Sequence, residues 1–348
     1  MKIDENGKIK IVGDECHNSL YQNIVGELSY NPNHDFKAWR KKVYDKIYEL
    51  LGISEIAKNK CALNYVIESQ EKKENYEQIR LVFESETGSY VPCYLLIPNT
   101  GKEKYPLAIC LQGHTTGMHL SIGEKKYNED IDTCPDKIGI QAVKNGYASL
   151  CIEQRCLGER VSSKAHVAGS HRCEYPSLIA MMLGRTVIGE RVWDVMRAID
   201  LMANFNSIDT EKIVITGNSG GGTASFYSAC IDERISVCAP CCSFSPYKTS
   251  IMPISHCPCN YIPNALKYFE MQDLSCLIAP RKFVVVAGKK DNIFPIEGVK
   301  QAYETVEKIF EDAGAKNNCA LYVTEEGHFW CEDIMWNAIN KATSQLGW

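Results

Sequence analysis

The sequence predicts an α/β fold: a mostly parallel, eight-stranded sheet flanked by helices and preceded by an N-terminal helical arm. Three observations predict it. Short apolar runs without strict alternation recur along the chain, as expected of strands buried on both faces. Segments with helical periodicity lie between them. The 348 residues contain no internal repeat, no low-complexity stretch and no Pro/Gly/Ser-rich linker at which the main body could divide.

Residues 1–35 show little periodicity, end in Asn31-Pro32-Asn33-His34, and read as an irregular arm. Residues 36–57 place Trp39, Val43, Ile47, Leu50 and Leu51 on one helical face, so an amphipathic helix is expected there. Arm and helix together account for residues 1–70, and the main domain for 71–348. Residues 77–86 and 90–98, separated by Thr87-Gly88-Ser89, predict a hairpin. Further strands are expected at 106–112, 147–153, 212–217, 235–240, 282–287 and 319–324. Helices are expected near 136–145, 175–204, 219–230, 296–313 and 331–346. This alternation predicts parallel pairing through helical crossovers. The segments 114–135, 156–174 and 241–276 follow strands. Loops at strand C-terminal ends form the site face of such a sheet, so these are candidates for a pocket and its lid.

Composition narrows the function. Apolar residues make up 45% and charged residues 23%, ordinary for a globular protein, and the net charge of −5 gives no reason to expect nucleic acid or an anionic membrane as partner. The opening MKIDENGKIK has no apolar core of a secretory signal, and no window approaches a membrane span, so a cytoplasmic protein is expected. The 17 cysteines, many inside apolar runs, read as small buried hydrophobes in a reducing compartment.

One motif carries chemistry. Gly217-Asn218-Ser219-Gly220-Gly221 matches G-x-S-x-G, with the β-branched run Ile213–Thr216 leading in and small residues Thr223-Ala224-Ser225 leading out. A strand that turns sharply into a helix holds such a serine in strained geometry. Glycines two residues to either side let the backbones pass closely. The hydroxyl then sits at a helix N-terminus, where developing negative charge is favoured. The rival reading, a phosphate loop, lacks a Walker Lys and a G-x-G-x-x-G.

A serine nucleophile needs a base, and the base needs an orienting carboxylate. Asp291 lies just past the 282–287 run, and His328 just past the 319–324 run. That gives the order Ser219, Asp291, His328, at strand ends. Glu297 and Asp273 are the alternative carboxylates; Glu325 and Glu326 read as solvated. The oxyanion hole needs two backbone N–H groups: Gly220 follows the nucleophile, and His114 lies in the loop Gln112–Gly117 after an earlier strand.

With the segments LQGHTTG (111–117), Glu153–Arg160 and Gly184–Met202, these residues resemble the acetyl xylan esterase-like and dienelactone hydrolase-like branch of the α/β-hydrolase superfamily, over about residues 36–348. The resemblance implies an α/β-hydrolase fold and hydrolysis of carboxylic esters without metal or organic cofactor. Members often remove small acyl groups such as acetyl from sugars or other alcohols. The chain departs from the family pattern in having Gln112 where His is frequent, in Asn218 before the serine, and in a Cys- and Pro-rich 241–276. The rivals are the same machinery used on amides, as a peptidase, and a non-catalytic binding protein on this scaffold. A cysteine nucleophile, used by some lactone-cleaving relatives, is replaced here by Ser219.

Gln112, Arg155, Asn218 and Trp330 are the candidate pocket residues, with Phe244, Tyr247, Tyr261, Tyr268 and Phe329 as further aromatics that could line a pocket or the core. Arg155 with Glu159, Arg185, Glu190 and Arg191 also reads as a buried ion-pair network. His166 and His171 are loop histidines that could touch a substrate, although such residues are more often merely exposed. Cys257-Pro258-Cys259 beside His256 lacks the C-x-x-C spacing of zinc knuckles and has no matching second pair in sequence, so no metal is expected. A small-molecule ester is the expected partner, and contacts exchanged by the arm would allow a homo-oligomer.

Overall fold

The computed structural model describes residues 3, 5–9, 12–128, 130, 137–164 and 172–348. Nine strands form one sheet: β1 (Tyr65–Lys72), β2 (Tyr76–Glu86), β3 (Ser89–Pro98), β4 (Tyr105–Leu111), β5 (Ala148–Ile152), β6 (Ile208–Asn218), β7 (Ile235–Cys241), β8 (Lys282–Gly288) and β9 (Cys319–Thr324). Their spatial order is β1-β2-β3-β5-β4-β6-β7-β8-β9. The first three strands and the β3–β5 pair run antiparallel; from β5 to β9 every pairing is parallel. Every expected strand is present, and the count of eight is corrected to nine. The additional strand, β1, is exposed at all eight positions. Having no buried face, it carries no period-two pattern to read.

The parallel strands divide their side chains between two cores. Leu107, Ile109 and Leu111 of β4, with Ile213 and Ile215 of β6, join the core that also contains Phe226 and Ile309. Ala108, Cys110 and Val214 point the opposite way, into the core that holds Trp336 and Ile339. Helices α1 (Glu15–Asn23), α2 (Phe36–Leu50), α3 (Ile53–Ala57), α4 (Ile138–Lys144), α5 (Glu174–Met182), α6 (Val187–Met202), α7 (Gly220–Ile231), α8 (Ile296–Asp312) and α9 (Glu332–Ser344) accompany the sheet. Residues of α2, α3, α6, α7 and α8 cover one face, and those of α4 and α9 the other.

Two expected helices are broken. The 36–57 segment bends at Gly52, whose φ of 75° ends α2 and starts α3. The 175–204 segment breaks at Gly184 (φ 71°), and Thr186 then caps α6 by accepting from the Gly189 N–H at 3.0 Å. α1 lies in the arm read as irregular; none of its residues is buried, so nothing in its pattern announces it. β1 runs across residue 70, joining the arm to the sheet. Among the described residues no helix is long and apolar enough to cross a membrane.

Candidate active site

Ser219 follows β6 directly and has φ 53° and ψ −121°. For a residue with a Cβ this conformation costs on the order of 1–3 kcal/mol and persists only where the surroundings over-determine it. Here they do. The Ser219 N–H donates to the Cys241 carbonyl on β7 at 2.9 Å. A Cβ on Gly217 would stand 2.4 Å from the Leu111 carbonyl oxygen, and one on Gly221 only 2.0 Å from it. The backbones of β4, β6 and α7 therefore meet directly, as the motif requires. Gly220 opens α7, so its N–H points out of a helix N-terminus.

Asp291 and His328 come together. His328 Nδ1 lies 2.8 Å from Asp291 Oδ2, while Asp291 Oδ1 accepts from the N–H groups of Ile293 (2.8 Å) and Phe294 (2.9 Å). Burial pushes the Asp291 carboxyl up, but the bond to His328 and these main-chain donors outweigh it and hold the group below the usual carboxylate range. An ionised carboxylate at Nδ1 fixes the proton there and leaves the lone pair on Nε2. The Phe294 ring stacks on His328 at 6.0 Å with 12° between planes. Cys241, which holds Ser219, is followed by Cys242; the Cys242 N–H donates to Val286 of β8 at 2.9 Å. The Cys242 thiol in turn lies within 4.8 Å of the nearest ligand atoms of both Asp291 and His328. Ser219 follows β6, Asp291 follows β8 and His328 follows β9, so all three lie at the same end of the parallel strands. Asp291, and neither alternative carboxylate, holds His328. Glu297 is exposed beside Lys300, and Asp273 accepts from the N–H groups of Tyr30 and Glu270.

The loop after β4 is fixed from behind by β5. Glu153 Oε1 accepts from Gln112 Nε2 and from the Met118 N–H, both at 3.0 Å, and Gln154 Nε2 donates to the Gln112 carbonyl at 2.6 Å. Burial pushes the Glu153 carboxyl up to about 7 against the pull of those donors. The His114 ring lies against Gly220, where an added Cβ would come within 2.5 Å of Cε1.

Several expected pocket residues are elsewhere. The Gln112 side chain is buried on Glu153 and positions the loop instead of lining a pocket. Trp330 is a core residue whose Nε1 donates to Gln141 Oε1 at 2.8 Å, beside Trp336 at 3.0 Å. Arg155 edges a cavity of about 460 Å³ with Tyr175, Ile179 and Lys164. Its guanidinium, however, is committed to Glu86 (2.7 Å), Asp194 (3.0 Å) and Glu190 (3.3 Å), and Arg160 and Arg185 share these acids. This is the ion-pair network, without Arg191, which donates to the Arg155 carbonyl and not to these acids, and without Glu159, which pairs with Arg80 and Lys126. Asn218 is buried next to the serine, and its Oδ1 is unpartnered among the described residues. Phe244 and Tyr247 are core residues, Tyr261 and Tyr268 are half-buried or more exposed, and Phe329 is exposed beside His328. His166 and His171 lie outside the described residues.

A second cluster was not legible. His256 turns to Ser250 Oγ at 3.0 Å. The partners of Cys257 and Cys259 come from far away in the chain: His114 Nε2 lies 3.0 Å from Cys259 Sγ, and Cys173 completes a group of four. The expectation that these cysteines lack matching ligands is thereby corrected. Hydrogen bonds from Cys156, then Cys257 and Cys259, draw the Cys173 thiol far below the usual range.

The chain belongs to the Abhydrolase family, whose profile matches residues 20–239 and so includes Ser219, while Asp291 and His328 lie beyond the match. The sheet and its helices are those of the α/β-hydrolase fold. One relative, the protein YtaP of Bacillus subtilis (strain 168), named as a hydrolase, is 24% identical over 265 residues, covering 75% of this chain and 85% of its own. Among solved structures, an acetyl xylan esterase assignment from Bacteroides fragilis NCTC 9343 superposes with a TM-score of 0.74 at 18% identity, over 93% of this chain and 85% of the other. A glucuronoyl esterase from Solibacter usitatus gives 0.69 at 14% identity, over 92% and 97%.

Proposed function

We propose that this protein is a serine carboxylic-ester hydrolase that removes a small acyl group, such as acetyl, from a sugar or other alcohol. The observation that carries the reading is the 2.8 Å Asp291–His328 pair, at the same end of the parallel strands as a strained Ser219. His328 Nε2 takes the Ser219 proton as the oxygen attacks the ester carbonyl. The N–H groups of Gly220 and His114 receive the oxyanion, where the N-terminus of α7 adds its dipole. His328 returns the proton to the leaving alcohol, and water then releases the acyl group by the same route. The esterase names of the solved neighbours support the ester, and the acetyl xylan esterase name suggests a sugar alcohol as the leaving group. Free thiols in the buried core support a reducing, cytoplasmic setting.

The test is hydrolysis of p-nitrophenyl acetate, butyrate and octanoate by the native chain and by Ser219→Ala. Acetate is expected to be turned over best, with the variant lower by on the order of 10⁴. Activity of the native chain on a p-nitroanilide but on none of the three esters would favour the amidase reading. Failure of a fluorophosphonate to label Ser219 would favour a binding protein.

A further inference from the structure

Three separate parts of the chain converge beside the elbow. His114 lies after β4, Cys173 immediately before α5, and Cys257 and Cys259 in the segment after β7. One ligand atom from each lies within 4.8 Å of all the others. Cys257 and Cys259 Sγ are 3.3 Å apart, and His114 Nε2 is 3.0 Å from Cys259 Sγ. A tetrahedral ion bound at about 2.3 Å to sulfur and about 2.0–2.1 Å to nitrogen holds its ligand atoms roughly 3.5–3.8 Å apart. The cluster straddles that spacing, so movements of no more than about 1 Å would close it on an ion.

The neighbouring charge points the same way. Arg191 is 2% exposed. Among the described residues its guanidinium donates to the Arg155 carbonyl (2.8 Å), to Cys259 Sγ (3.4 Å) and to Cys173 Sγ (3.6 Å), and to no carboxylate. A buried guanidinium needs an anion. Three thiolates with one neutral imidazole around a divalent cation leave a net charge of one negative, which a single arginine balances. Three sulfurs and one nitrogen select a soft or borderline ion with tetrahedral preference, and four protein ligands leave no position for a substrate. The exposed His114 gives the ion a path from solvent.

We propose that His114, Cys173, Cys257 and Cys259 bind one zinc ion in a closed structural site. The ion ties the loop after β4 to the start of α5 and to the segment after β7, with the His114 ring wedged against Gly220. Zinc binding does not depend on the proposed activity.

The test uses the full chain, purified with a reductant and no chelator, loaded with zinc, desalted and assayed for metal by mass spectrometry. The native chain is expected to retain one zinc per chain. Cys61→Ser, outside the cluster, should retain it, and the double variant Cys257→Ser/Cys259→Ser should lose it. Because that variant could fail to fold, the native chain is also loaded with cobalt. Thiolate-to-cobalt charge-transfer absorption and the intense visible bands of a tetrahedral ion are expected. A native chain that retains no zinc after loading, or a cobalt spectrum without thiolate bands, overturns the proposal. So does zinc that survives in both Cys173→Ser and the double variant.

Discussion

Ser219 combines two costs that can be separated by substitution. Alanine and glycine both delete the hydroxyl, but only glycine adopts φ 53° freely. Ser219→Gly is therefore expected to be more stable than Ser219→Ala by about 1 kcal/mol in urea denaturation, while both are inactive. In the proposed mechanism Asp291 acts through its bond to His328. Asp291→Asn keeps the shape but favours the wrong imidazole tautomer, so its kcat should fall by on the order of 10³–10⁴ with KM little changed. A variant retaining more than a tenth of the activity would mean that another group orients the base. The Asp291–His328 pair was legible because triad chemistry asks for these residue types, in this order, at strand ends. The pocket residues were not: which way Gln112, Arg155 or Trp330 turns depends on Glu153, Asp194 and Gln141, partners that no local pattern reveals. The thiol cluster was hidden for the same reason, since its members lie on three loops with no fixed spacing.

At the scale of elements, the strand–turn–helix unit of β6 and α7 leaves no room beside β4. Gly221→Ala would bring a methyl to 2.0 Å from a main-chain oxygen, which no side-chain rotation relieves. It is expected to cost more than about 3 kcal/mol and to abolish activity, read by denaturation midpoint and ester turnover. Helix α6 is joined to β2 and to the loop after β5 through Asp194, which takes Arg155, Arg160 and the Ser85 hydroxyl (2.6 Å). Asp194→Asn leaves buried guanidiniums short of charge, and a loss of about 3–5 kcal/mol is expected in the same assay. Elements with a buried face were legible from periodicity. α1 and β1, which bury none of their residues, were not, and the breaks at Gly52 and Gly184 passed for continuous helix because the apolar pattern runs through both.

For the whole molecule, the buried carboxyls set a dependence of stability on pH. Glu153 and Glu270 are pushed up to about 7 and Asp273 to about 6, chiefly by burial. A group with a raised folded-state value holds its proton in the native chain after the unfolded chain has released it. Its stabilisation is complete below about pH 4, and is lost as pH rises through 6 to 7. Asp291 and Asp194, whose values are lowered, are ionised in both states across that window and add no slope. His256, lowered to about 4, gives a contribution of opposite sign up to about pH 6.5. Comparing variants isolates one group: between pH 5 and pH 8, Glu153→Gln should lose less stability than the native chain, measured by urea midpoints. An equal or steeper loss would mean that Glu153 is ionised throughout.

The contact between the Leu111 carbonyl and the glycines of the elbow has a consequence for divergence. Main-chain atoms, which every sequence carries, set the position of Ser219, and the side-chain condition at Gly217 and Gly221 is that they have none. Substitutions in the surrounding core can then accumulate without displacing the turn. A chain that shares only 18% of its residues with a solved structure can in this way keep the same fold.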